Sequence, residues 1–293
     1  MRILFLLTAL LMAACQSLPP LPEWQSPEGL DHPELGHIID LRSGQRVSSE
    51  ALVDRLARED RVLIGERHDN PDHHSLELWM LKALAERRQQ GSVLLEMIEP
   101  SQQQRVTDIQ GQMMQGQRLD DLPGALGWGK GWPWALYGEL VAYSLAQPAP
   151  LLHANLDRDE ITAIYRDPPP LTGAPADQRV QAQLLDQIRE SHCNMLPESQ
   201  LPAMLAVQQQ RDRRMATRLA TAPEPALLFA GGFHVRRDLG VPLHLSDRGS
   251  PAAVVLMLAE VGEVVSAEQG DYVWFTPAQP QQDHCAQFQR PAR

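Results

Sequence analysis

The chain has 293 residues, with 37 acidic against 26 basic side chains and a formal net charge of −11. So acidic a surface argues against a nucleic-acid partner, and no polybasic segment is present to hold anionic lipid. The length suits one large domain, or one domain with a helical subdomain.

Arg2, an apolar run over residues 3–12, and then Ala13, Ala14 and Cys15 have the outline of a cleavable signal peptide. The run is too short to span a hydrocarbon core, and Pro19, Pro20 and Pro22 follow at once. Small residues directly ahead of Cys15 resemble a bacterial lipobox, with Met12 where leucine is usual. The expectation is a signal peptide over 1–14, cut before Cys15, with lipid on that cysteine tying the protein to the bilayer. Gln16 in place of aspartate points, by analogy, to the outer membrane. Residues 15–37, rich in Pro, Glu and Ser, read as a lipidated tether, and the folded domain as 38–293. With Cys15 acylated, Cys193 and Cys285 remain in an oxidising compartment. A disulfide between them is expected, two separate thiols being the alternative.

From residue 38 onward apolar runs recur at 62–64, 93–95, 151–152 with Ala154, 226–229 and 253–258, followed by 261–265 and 272–275. Strands that are apolar without alternation are buried on both faces, as in a parallel sheet covered by helices. Residues 75–88 put Leu76, Trp79, Met80, Ala83 and Leu84 on one helical face, and 178–191 does the same with Val180, Leu184, Leu185 and Ile188. Residues 102–143 carry no strand pattern, and 197–220 also reads as helix. The predicted fold is α/β, a mainly parallel sheet flanked by helices, with a helical subdomain inserted at about 102–143.

In open parallel sheets, ligands bind outside the carboxyl ends of the strands. The first run ends in Gly65-Glu66-Arg67-His68-Asp69-Asn70, the second in Glu96, the third in Asn155 and Asp157, the fourth in Gly231-Gly232-Phe233-His234. Parallel strands gather these groups at one edge, and the glycines let backbone approach a ligand closely. One histidine after a strand is more often structural; four polar strand ends together read as a site. Asp69, Asn70 and Pro71 read as a helix entrance that puts His73 and His74 in the first turn. The helix dipole disfavours the imidazolium there, so a neutral, metal-competent ring is expected, one of the two facing the pocket beside His68. A solvent-facing His74 is the alternative. The spacing from His68 to His73 is not that of a zinc-protease helix. Trp128, Trp132 and Trp134 crowd around Lys130 between glycines, followed by Tyr137. Such a surface suits a planar ligand bearing carboxylates, such as haem, or else packs the helical part onto the sheet.

Together these segments resemble the ChaN-like haem-binding lipoproteins of the Tiki superfamily. The resemblance rests on Val62-Leu63-Ile64-Gly65-Glu66-Arg67-His68-Asp69-Asn70, Leu94-Leu95-Glu96-Met97, Ala154-Asn155 and Gly231-Gly232-Phe233-His234-Val235-Arg236. Ser191-His192-Cys193, Gln210-Arg211-Asp212 with Met215-Ala216, and the stretch 271–277 before Cys285 also fit, so it spans most of the chain from residue 38. It implies haem binding and a role in haem or iron acquisition, with a second copy and an outer-membrane haem receptor as partners. It also implies kinship with metal-dependent proteases and esterase-like hydrolases, and that kinship puts Glu66, His68, Glu96 and His234 in the polar site. Haem iron takes His or Tyr as axial ligand. The candidates are Tyr137 and Tyr143 near the tryptophans and His68, His73 and His234 at the strand ends. Tyr137 is the expected choice, with Lys130 and Trp132 beside the haem. The alternative function is a hydrolase. In it Glu66, His68, Glu96 and His234 hold a divalent metal that acidifies water, or one histidine acts as base without metal. No serine elbow is present for covalent catalysis.

Overall fold

A computed structural model describes residues 17–281 and Cys285; the signal-peptide segment and Cys15 lie outside the described residues. Eight strands form one sheet: β1 (Ile38–Asp40), β2 (Gln45–Val47), β3 (Arg61–Glu66), β4 (Ser92–Leu95), β5 (Leu151–His153), β6 (Ala226–Gly231), β7 (Val254–Glu260) and β8 (Tyr272–Thr276). Their order is β2-β1-β8-β7-β3-β6-β4-β5. From β8 to β5 all neighbours are parallel, and only β1 runs against its neighbours β2 and β8. The mainly parallel sheet is therefore as predicted. The β1–β2 hairpin was not foreseen, because three-residue, half-exposed strands leave no apolar run. The run at 261–265 is a loop instead of a strand, since Gly262 turns the chain at φ +88° straight after β7.

The helices are α1 (Ser49–Leu56), α2 (Pro71–Ala85), α3 (Gln103–Met114), α4 (Leu122–Leu126), α5 (Trp134–Leu145), α6 (Arg158–Arg166), α7 (Gln178–Ser191), α8 (Leu201–Thr221), α9 (Gly232–Val235) and α10 (Val241–Asp247). Alternate residues of each strand enter different layers. Val62 and Ile64 of β3 join the core formed with α1 to α5, while Leu63 joins the one formed with α8, α9 and α10. The expected helical insertion at 102–143 corresponds to α3, α4 and most of α5, all on the first of these faces. Helix α2 starts as expected, with Asn70 as N-cap accepting from the backbone of Asp72 and His73 and with Pro71 in the first turn.

Residues 17–36 are not a free tether. Leu18 and Trp24 pack against the core, and the Trp79 indole donates to the carbonyl of Pro19 at 2.9 Å. The backbone amides of Gln25 and Ser26 donate to the Asp72 carboxylate at 2.7 and 2.9 Å, and Glu28 pairs with Ala278. Composition misled here because a few hydrophobic residues and backbone hydrogen bonds suffice to dock an extended strap on a surface that is already folded. Cys193 and Cys285 are joined by a disulfide, with Cα atoms 5.5 Å apart, as expected.

Candidate functional site

The carboxyl ends of β3, β6, β4 and β7 share one edge of the sheet, where the chain leaves β3 toward β4 on one side and leaves β6 toward β7 on the other. Crevices of this kind receive ligands in open parallel sheets. The crevice here is a pocket of about 790 Å³ lined by Glu66, His68, Glu96, Trp132, Arg211 and His234, with further loop residues. That volume is in the range of pockets for small molecules and cofactors. Phe233 and Val264, both exposed, give it an apolar rim.

Glu66, His68, Glu96 and His234 thus meet at one rim, but they do not form one metal cluster. They divide into two groups. In the first, Glu66 ends β3 buried, and its Oε1 lies 2.5 Å from His68 Nδ1. The Tyr137 hydroxyl donates to the same oxygen at 3.1 Å. A carboxylate can only accept, so the ring proton is on Nδ1 and Nε2 is the other face of the ring. That Nε2 has no hydrogen bond among the described residues, and the side chain is 45% exposed. Trp132 meets the ring edge-on at 4.9 Å. A Cβ at Gly231 would lie 2.8 Å from both Cε1 and Nε2, so glycine keeps this edge clear. Burial works to lower the His68 pKa. The Glu66 hydrogen bond and the charges of Glu66 and Glu96 outweigh it and push the pKa up to about 9.

In the second group, the buried His234 lies between two carboxylates. Nδ1 is 2.5 Å from Asp212 Oδ1 of α8, and Nε2 is 3.3 Å from Glu96 Oε1. The other Glu96 oxygen accepts from the Gly231 amide at 2.8 Å, and Asn155 donates to the Glu96 carbonyl at 2.9 Å. Burial opposes charge on His234, but Glu96 and Asp212 push its pKa up to about 10. Burial would raise Glu96, yet the His234 charge holds it well below the usual carboxylate range. On Asp212 burial outweighs the pull of His234 and pushes the pKa up to about 6. The firm ion pair is therefore Glu96 with His234, and Asp212 orients the ring.

Several expected ligands are placed elsewhere. Tyr137 is fully buried, its hydroxyl spent on Glu66, and burial together with the Glu66 charge drives its pKa upward. A tyrosinate cannot form at such a place, which corrects its expected role as axial ligand. His73 is also fully buried: Nδ1 accepts from the Arg67 amide at 2.8 Å, so Nε2 donates to Thr276 Oγ1 at 2.9 Å. It is neutral as expected, because burial holds its pKa well below 6.5, but neither nitrogen is left for a ligand. His74 is buried beside Glu77, not turned to solvent. Lys130 is exposed and away from the pocket lining, whereas Trp132 does line it. Trp128 and Trp134 pack edge-on against each other at 5.1 Å and against the core, and Trp132 packs on the core too while also lining the pocket, so the packing alternative holds for all three tryptophans. Asp157, at the third strand end, caps α6.

Asp212 and Arg211, read from the sequence only as part of the Gln210-Arg211-Asp212 motif, were given no place in the site. Asp212 sits in the apolar stripe Leu205, Gln209, Asp212, Ala216 and Leu219, all buried, at helical spacing. A charged residue on such a stripe signals a buried partner. Arg211, next to it, lines the pocket. It makes no ion pair among the described residues, and its Nε is buried without a hydrogen-bond partner.

The model of the family described as haem-binding uptake, Tiki superfamily, ChaN matches residues 52–245. The chain belongs to the ChaN family. A solved structure, ChaN of Campylobacter jejuni with cofacially bound haem, shares 32% identity at a TM-score of 0.75 over 81% of this chain and 95% of that one. A mutant erythromycin esterase, EreC, in its open conformation gives 13% identity and a TM-score of 0.43 over 81% of each chain. No curated protein matches. For this ChaN relative, the family and the parallel α/β fold agree with the resemblance read from the strand-end motifs.

Proposed function

We propose that the chain binds haem in the strand-end pocket, with His68 Nε2 as the axial ligand. The observation that carries this reading is the half-exposed His68 ring. Its Nδ1–H is held by Glu66 and its Nε2 faces the pocket without a partner. A ligating histidine ordinarily has its second nitrogen anchored by a carboxylate or carbonyl in this way. The residues present fit the group. Trp132, Phe233 and Val264 supply apolar surface, and Arg211 offers an unpaired guanidinium for a propionate. When bound, haem supplies an iron whose open faces accept a protein imidazole. His68 must give up its Nε2 proton while keeping the Nδ1 proton on Glu66.

The physiological reading extends this. The protein is a lipoprotein held at the outer membrane through acylated Cys15, taking part in haem or iron acquisition. It acts with a second copy of the chain and an outer-membrane haem receptor. The signal-peptide outline and Cys15 support the anchoring. Haem binding by the Campylobacter relative supports the acquisition role.

Titrating the protein with haemin, with size-exclusion chromatography of the product, tests the binding and the assembly. Wild type should give a saturable absorbance change, and His68→Ala should lose the spectrum of an imidazole-ligated iron. An identical spectrum in His68→Ala would move the ligand elsewhere, and no saturable change would remove haem binding altogether.

A further inference from the structure

On the core side of Glu66, helix α2 presents His74 and Glu77, three residues apart and therefore on one face. One ligand atom from each of Glu66, His74 and Glu77 lies within 4.8 Å of the others, and all three residues are buried. Glu66 Oε2 and Glu77 Oε1 are buried and have no hydrogen-bond partner among the described residues. Buried polar atoms are nearly always paired, so two orphaned carboxylate oxygens in one cluster call for something to sit between them.

The tautomer of His74 points the same way. Its Nε2 lies 3.1 Å from the His68 carbonyl, which can only accept, so Nε2 carries a proton. Nδ1 is then the nitrogen turned to the Glu77 carboxylate, 3.1 Å from Oε2. Were the ring neutral, its Nδ1 lone pair would face that carboxylate, so either a proton or a metal ion lies between them; the two orphaned oxygens favour the metal ion. An imidazole that donates one N–H to a backbone carbonyl and offers the other nitrogen is the usual support of a metal ligand.

We propose that Glu66, His74 and Glu77 hold a divalent transition-metal ion on the core side of the haem pocket, at a site that shares Glu66 with it. One imidazole with two carboxylates suits Zn²⁺, Mn²⁺ or Fe²⁺, and two carboxylates balance the charge of such an ion. Tyr137, donating to Glu66 and with its ring 4.3 Å from that of His74, packs the cluster and orients the carboxylate. Because Glu66 also holds His68, the ion fixes the carboxylate against which the pocket imidazole is set.

The test uses the full chain, free of haem and treated with chelator, titrated with Co²⁺ by visible absorption, with bound metal counted after equilibrium dialysis. Wild type should bind one ion per chain, and Glu77→Gln, which keeps the shape and a hydrogen bond to His74, should lose affinity about tenfold or more. No bound ion in wild type would mean that a shared proton holds the cluster, and would overturn the proposal. Undiminished affinity in Glu77→Gln would place the ion elsewhere and would overturn it equally. If Glu77→Gln does not fold, Zn²⁺ added to ¹⁵N-labelled wild type decides the matter. A displaced His74 Nδ1 signal supports the site and an unmoved one overturns it. The haemin titration is a separate measurement, so failure of either result leaves the other standing.

Discussion

His68 and His234 stand at the ends of two adjacent strands, each with Nδ1 2.5 Å from a carboxylate, yet they are fitted for different work. His68 has one carboxylate and a side chain 45% exposed; His234 has a carboxylate on each ring nitrogen and a side chain 7% exposed. The second carboxylate makes the difference. It occupies the nitrogen that a ligand would need, and it converts a site for binding into an ion pair that joins the end of β4, α8 and α9. An imidazole at a strand end is therefore available to a ligand only where one nitrogen has been left without a protein partner.

Truncating each ring gives the sharpest contrast. His234→Ala leaves Glu96 and Asp212 buried without a counter-charge, a change that costs about 3–5 kcal/mol. His68→Ala removes a half-exposed ring and leaves one buried carboxylate, Glu66, without its partner, so with solvent screening it should cost less than His234→Ala, about 1–2 kcal/mol. Urea unfolding of both variants checks this, and equal losses would erase the distinction. A pH series follows from the same pair. The His234 pKa is raised from 6.5 to about 10, so its contribution to stability is fully present below about pH 6.5 and is lost as pH rises through 10. Glu96 is depressed below 4.5, so its contribution is present above that value and is lost on acidification. Wild type should lose a few kcal/mol between about pH 6 and pH 10, roughly 1.4 kcal/mol for each pH unit that separates the folded and unfolded titrations of the ring. His234→Gln should lose much less; parallel curves would mean that the ring carries no charge in the folded protein.

Much of this was legible because a parallel sheet writes itself as apolar runs, and such runs end where the site begins. Glu66, His68, Glu96 and His234 were found at their strand ends for that reason. What the sequence could not display was which of them face one another. Pairing Asp212 with His234 depends on the rotation of α8, and the polar neighbours Gln208, Gln209, Gln210 and Arg211 do not display that Gln209 and Asp212 are fully buried. Glu77 was hidden in the opposite way, as the single acid among Leu76, Leu78, Trp79, Met80 and Leu81, in a helix buried on nearly all sides. Tyr137 looked like a ligand because it follows the tryptophans, but only the packing of α5 against α2 shows that its hydroxyl points into the core side of Glu66.

A smaller perturbation tests whether the openness of His68 depends on β6. Gly231 has φ −55° and ψ 144°, a backbone that alanine adopts without strain, but its methyl would lie 2.8 Å from the His68 ring. Gly231→Ala should therefore fold, push the ring away from Glu66, and weaken haem binding about tenfold, or ~1.4 kcal/mol. Unchanged haemin affinity would show that Nε2 is not the group being used.

The smallest expected effect concerns neighbours on α8 that divide the two tasks between them. Asp212 turns inward to His234, while Arg211 turns to the pocket, with no ion pair among the described residues. Arg67 and Arg236, which also line the pocket, are already paired, with Glu260 and Asp238 respectively. A propionate entering the pocket thus finds one guanidinium that makes no ion pair among the described residues, although Glu99 and Asp212 feel its charge. Partial exposure to solvent limits the gain to about 0.5–1 kcal/mol, so Arg211→Ala should weaken haemin binding a few-fold while leaving the ligand-field spectrum of His68 in place. The loss should shrink at high salt, as it does for a screened charge pair. A salt-independent loss would mean that Arg211 acts by packing against the rim.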